Sequence, residues 1–171
     1  MVASATTAHY ALPIPGTGDL ADFVDFDGMA NLIDAQLFIA SAMGSQVAYN
    51  SLTASVGQAV NGAAYAAITG ATLVLPNDSK LYRVAVTGTS VRSTIAGSVR
   101  VSIGTAVATQ LKRTELQVAT TGVPYPYTIG LEKITATGQM LQLYVFGPST
   151  ATVTVDATAD SPLELAAYRI G

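Results

Sequence analysis

From about residue 63 onward, apolar side chains recur at every second position, and no other feature limits the possible folds as strongly. Tyr82, Val84 and Val86 alternate with Arg83, Ala85 and Thr87. Val99, Val101 and Ile103 alternate with Ser98, Arg100 and Ser102, and Leu141, Leu143 and Val145 with Gln142 and Tyr144. Successive strand residues point to opposite faces, so each run reads as a half-buried antiparallel strand. Ala71–Leu75, Leu111–Val118, Tyr127–Leu131, Ala151–Val155 and Leu163–Ile170 are further strand candidates. Asn77-Asp78, Thr137-Gly138, Gly147-Pro148 and Asp160-Ser161-Pro162 mark turns between strands. Turns this close together favour an antiparallel β-sandwich of jelly-roll type over a parallel sheet. No repeat of fixed period occurs, which argues against a solenoid.

Residues 1–50 have a different character. They carry five Asp and no Lys or Arg, whereas 51–171 carry eight basic and six acidic residues. The expected organisation is therefore an extended arm plus one α-helix over 1–50 and a β-sandwich domain over 51–171. Pro13 and Pro15 fix φ and bias the residues before them toward extended backbone, which gives an arm anchored through Leu12, Ile14, Phe23, Val24 and Phe26 if these find a groove. Asp27 suits a helix N-cap, and Met29, Leu32, Ile33, Leu37, Ala40 and Met43 follow near helical spacing up to Gly44. Phe38 and Ile39 widen the apolar surface, so the helix should pack on more than one side.

At 171 residues the chain supports one main fold with an appendage. Half its residues are hydrophobic and 11% are charged, against about 25% charged in an average soluble protein. Small polar residues or neighbouring subunits must therefore cover its surface. Arg and Lys are scattered singly, which excludes a nucleic-acid footprint. Ala35 to Asn77 is free of charge, but Gln46, Asn50, Gln58 and Asn61 interrupt it, so no membrane span is expected. Met1 to Tyr10 has neither the basic nor the apolar region of a secretory signal.

No catalytic constellation is legible. Cysteine is absent, which removes thiolate chemistry and cysteine-based zinc sites. The single histidine, His9, precedes any regular element. Asp19, Asp22, Asp25 and Asp27 miss the glycine and glutamate positions of an EF-hand, so they read as solvated or helix-complementing carboxylates. Asp156, Asp160 and Glu132 read as solvated loop or edge charges. Gly16-Thr17-Gly18 lacks the third glycine of a dinucleotide site. A non-enzymatic protein with no cofactor and no metal is expected. Val123-Pro124-Tyr125-Pro126-Tyr127 is the most unusual surface candidate: two fixed φ angles carry two rings, Tyr125 and Tyr127, that could stack on a sugar. The alternative is a rigid loop with its tyrosines packed on the sandwich or on a subunit interface.

Two stretches resemble known families. Ala11-Leu12-Pro13-Ile14-Pro15-Gly16-Thr17-Gly18-Asp19, followed by Asp22, Asp27, Met29, Leu32, Ile33 and Asp34, is similar to an N-terminal segment of tail, fibre and appendage proteins of actinobacterial tailed phages. In that family a proline–glycine–aspartate arm leads into a short helix. Prolines usual there between the acidic residues are missing here, and Phe23 and Phe26 stand in their region. The second stretch, Leu81 to Gly171, resembles the tumour-necrosis-factor or complement type of β-sandwich found on phage fibres and capsids. Leu81-Tyr82-Arg83-Val84, Ile134-Thr135-Ala136-Thr137-Gly138, Leu141-Gln142-Leu143-Tyr144-Val145 and Leu163-Glu164-Leu165 to Arg169-Ile170 carry this likeness.

These resemblances imply a protein of the virion: a homotrimer displayed as a tail-tip or fibre appendage or as a capsid decoration. They also imply docking into another virion protein of the tail or capsid through Leu12, Pro13, Ile14, Pro15, Phe23, Phe26, Met29, Leu32 and Ile33. A host-surface glycan is a candidate ligand. The alternative function is a carbohydrate-binding adhesive module not attached to a virion, which leaves arm and helix unexplained.

Overall fold

The computed structural model describes residues 44–88 and 90–171, together with the backbone of two short strands nearer the N-terminus. These are β1, Ala3–Thr6, and β2, Pro13–Pro15, paired antiparallel with Thr6 opposite Pro13 and Ala5 opposite Ile14. Proline cannot donate to a ladder and is confined to sheet edges; a two-stranded ribbon consists only of edges. The helix expected to start at Asp27 lies outside the described residues. Among the described residues all regular structure is antiparallel β, and no helix is long and apolar enough to cross a membrane.

One compact unit spans Gln46–Ile170. It contains β3 (Gln46–Leu52), β4 (Val56–Ala59), β5 (Ala66–Val74), β6 (Leu81–Thr87), β7 (Ser90–Ser93) and β8 (Gly97–Ala106). β9 (Thr109–Val118), β10 (Ile129–Thr135), β11 (Met140–Phe146), β12 (Thr152–Asp156) and β13 (Leu163–Arg169) complete it. The boundary expected between 50 and 51 falls inside β3, and β3, β4 and β7 add to the strands expected from sequence.

The pairings nest around the β8–β9 hairpin. Outward from it, β6 pairs with β10, β5 with β11 and β3 with β13. Two further pairings, β11 with β8 and β13 with β6, gather these strands into the sheets β10-β6-β13-β3 and β5-β11-β8-β9. A third sheet has the order β4-β12-β7.

The period of two explains the core. Tyr82 and Val84 on β6, Val99, Val101 and Ile103 on β8, and Leu141, Leu143 and Val145 on β11 are all buried, as are Leu163 and Leu165 on β13. They join Val91, Val153 and Val155 of the small sheet in one hydrophobic cluster, giving a sandwich-like body whose apolar faces share a single interior. Removing this surface from water is the main favourable term in its folding.

Side chains pin the open edges between the large sheets. On one side the Asn50 amide of β3 donates to the carbonyls of Gly70 and Thr72 on β5, each at 2.6 Å. On the other, the Thr114 hydroxyl of β9 donates to Thr128 O, just before β10, at 2.8 Å. Asn50→Ala removes two hydrogen bonds, at about 0.5–1.5 kcal/mol net each. Urea unfolding should therefore show a loss of about 1–3 kcal/mol; an unchanged midpoint would mean that water serves these carbonyls equally well.

Candidate functional site

The Pro-Tyr-Pro-Tyr segment is built into the body. Tyr125 sits opposite Val91 of β7 in an isolated bridge, with N–H to O contacts of 2.9 Å in both directions. Its phenolic oxygen accepts the backbone N–H groups of Ala119 and Thr120, each at 3.0 Å. Tyr127 belongs to the core and is 7% exposed. A Cβ on Gly88 would come within 2.6 Å of the Tyr127 hydroxyl and 2.8 Å of Leu163 Cδ1, so only glycine leaves room for this ring.

Burial first, and then the nearby Asp156 carboxylate, push the Tyr127 hydroxyl well above its ordinary pKa. That hydroxyl is enclosed without a hydrogen-bond partner. Of the two readings open for this loop, the position of Tyr127 agrees with the rigid loop packed on the sandwich. Tyr127 has no face to offer a ligand, and Tyr125 serves as a brace that closes the 119–125 turn onto β7.

A more open surface lies on the outer face of β10-β6-β13-β3. Gly130, Ala85, Ala166 and Tyr49 stand in one row across the four strands, and cross-strand partners share a face. Three of these four carry little or no side chain, so the middle of the face is low. Tyr49 is half exposed at the β3 edge, and its hydroxyl donates to Glu164 Oε1 at 2.7 Å. This bond is the first cause of the raised pKa of Tyr49. The Thr87 hydroxyl donates to the other Glu164 oxygen at 3.3 Å. One row away, the Arg83 guanidinium lies 5.7 Å from the Tyr168 ring centroid. The polar groups are thus paired among themselves around a flat, small-residue centre.

Asp156, read from sequence as a solvated charge, is held in place. Arg92 Nη2 lies 2.6 Å from its Oδ1, the Ser90 hydroxyl donates to its Oδ2 at 2.7 Å, and its side chain is 16% exposed. Ser90 and Arg92 flank the buried Val91 on β7, with Ser90 opposite Asp156 in the ladder. The pair is made only by the β7–β12 register, which no local sequence signal announces. Among the described residues no three His, Cys, Asp or Glu side chains gather as a metal site.

Of the expected docking residues, Pro13, Ile14 and Pro15 form β2. Leu12, Phe23, Phe26, Met29, Leu32 and Ile33 lie outside the described residues, as does His9.

No family model and no curated protein matches this chain. Among solved structures, it is similar to a subunit of Bacillus endospore appendages, described as forming a family of disulfide-linked pili. The match covers 76% of this chain and 95% of that one at 13% identity, with a TM-score of 0.36. This sequence contains no cysteine.

Proposed function

We propose that the chain is a non-enzymatic structural subunit of a tailed-phage virion, attached through its N-terminal segment and displaying a trimeric jelly roll as a tail-tip or fibre appendage or a capsid decoration. The nested strand pairing is the observation that carries this reading. If the eight strands of the two larger sheets are lettered a to h in chain order, the sheets read f-c-h-a and b-g-d-e. Such an order arises when a long antiparallel hairpin, paired a–h, b–g, c–f and d–e, is rolled up as a unit, and it supports the double Greek-key jelly roll.

The low row through Gly130, Ala85 and Ala166 supports close approach by further copies, because small residues let a neighbouring surface come near the backbone. Sparse charge, 11% of the sequence, fits a protein that spends its life against other subunits. Antibodies raised against the chain should decorate the tail tip or the head of purified particles in negative stain; particles that never bind them would sink the virion reading. The second reading, an unattached carbohydrate-binding module, is favoured by a hollow on the small sheet lined by Arg92, Ser93, Thr94, Gly122, Thr152 and Thr154. It requires that all binding survive deletion of residues 1–45.

A further inference from the structure

The sheet β4-β12-β7 turns Val91, Val153 and Val155 inward, each no more than 1% exposed. The residues alternating with them, Ser90 and Arg92 on β7 and Thr152, Thr154 and Asp156 on β12, therefore share the opposite face. Gly57 on β4 stands opposite Thr154 and completes this face without a side chain. A Cβ there would come within 3.2 Å of both Thr152 Cγ2 and Thr154 Oγ1, so glycine keeps the ground beside both threonines clear. Arg92, Ser93, Thr94, Gly122, Thr152 and Thr154 line a hollow of about 180 Å³.

The polar groups around this hollow differ in what they have left to offer. Ser93 is committed, since its hydroxyl donates to Ile95 O at 2.7 Å and accepts from Ile95 N at 3.2 Å. Thr94 Oγ1 accepts the Thr152 N–H at 2.9 Å, which leaves its own proton to donate. Arg92 gives one corner of its guanidinium to Asp156, and 43% of its side chain remains exposed. The hollow thus brings together the Arg92 guanidinium and the side chains of Thr94, Thr152 and Thr154, with the Asp156 carboxylate held on Arg92 next to it.

This combination selects a ligand class. A neutral ring with neighbouring hydroxyls offers a donor and an acceptor on every hydroxyl. Arginine can give to one oxygen while threonine hydroxyls give to or take from the next. A phosphate or sulfate is poorly served, because Asp156 neutralises Arg92 and sets an acceptor beside it. The volume lies below the roughly 300–1,000 Å³ of drug-sized sites, which suits a single ring.

We propose that the hollow binds one sugar residue of a glycan, and this stands whether or not the chain belongs to a virion. The site is built in advance. The Val91–Tyr125 bridge and the 2.9 Å bond from Gly122 N to Ser93 O fix β7 and the neighbouring turn before any ligand arrives. With few contacts and an open mouth, one site binds weakly, and linked copies gain by multivalency.

The test is saturation-transfer NMR on the full chain with glucose, galactose, mannose, rhamnose and N-acetylglucosamine, each at millimolar concentration, with inorganic phosphate as the anionic probe followed by the broadening of its phosphorus-31 line. At least one sugar should receive magnetisation. The double variant Thr152→Val, Thr154→Val keeps β-branched strand residues and removes both hydroxyls; it should cut the signal at least fivefold with melting unchanged. Arg92→Lys keeps the charge, removes the planar fork and should do the same. Silence from all five sugars, a signal indifferent to both variants, or binding of phosphate alone would each overturn the proposal.

Discussion

Ala85→Glu is expected to convert the proposed assembly of three chains into single chains. Light scattering should then fall from three times 17.5 kDa to 17.5 kDa. Ala85 lies in the middle of the low row, between Gly130 and Ala166, and its side chain is directed away from the core that holds Val84 and Val86. In an isolated chain a glutamate there points to water, and surface changes of this kind stay within about 0.5 kcal/mol. Between packed copies the carboxylate is taken out of water, and burying an ion costs several kcal/mol unless a cation is brought against it. Melting of the variant at low concentration should therefore match that of a monomer with an intact core. Wild-type protein that scatters as one chain removes the trimer from the proposed function, and a variant that remains trimeric moves the contact to another face.

Two substitutions at Tyr127 should act in opposite directions. Tyr127→Ala removes a ring from the core and is expected to cost about 3–5 kcal/mol, by analogy with other buried aromatic truncations. Domains of this size have about 5–15 kcal/mol in total. Tyr127→Phe removes only an enclosed hydroxyl that has no partner, so it should stabilise the protein by about 1 kcal/mol. The same change two residues earlier should cost about 1 kcal/mol, because Tyr125→Phe takes the acceptor away from two backbone N–H groups. Denaturant midpoints for the three variants decide the matter. Equal and negligible shifts would mean that both rings lie outside the packed body after all.

The sequence was most legible where one face of a strand meets the core and the other meets solvent. β6 shows this alternation openly, and β8 and β11 show it in sequence although Ser102 and Tyr144 on their second faces are buried as well. The turns at Asn77-Asp78 and Thr137-Gly138 fall between strands as expected. β3 was hidden by its chemistry. Its sequence is Gln-Val-Ala-Tyr-Asn-Ser-Leu, and the polar Asn50 is drawn inward to the β5 carbonyls while Tyr49 is half exposed. A reading that sends amides outward therefore assigns the wrong faces. β4 and β7 are four residues each, too short for a period to declare itself. The fate of Tyr127 depends on Gly88, which looks locally like an ordinary turn residue. Nothing near Pro126 announces that a cavity for the ring has been cleared at a distant position. The Arg92–Asp156 pair was hidden in the same way, since its members are neighbours only through the β7–β12 register.

The pairing of β3 with β13 also has a mechanical consequence. Gln46 lies across from Tyr168, so the backbone passes into and out of the compact unit at one corner. Ladder hydrogen bonds run perpendicular to antiparallel strands. Traction applied between residues 46 and 169 would open that pair like a zipper, a rung at a time and at low force. Traction applied between residue 46 and the β8–β9 hairpin draws on the nested ladders together, and several must yield before the unit opens. Forced unfolding is governed by the barrier to opening. A subunit held by its N-terminal side and pulled from the hairpin would therefore resist much longer than one pulled by its two ends.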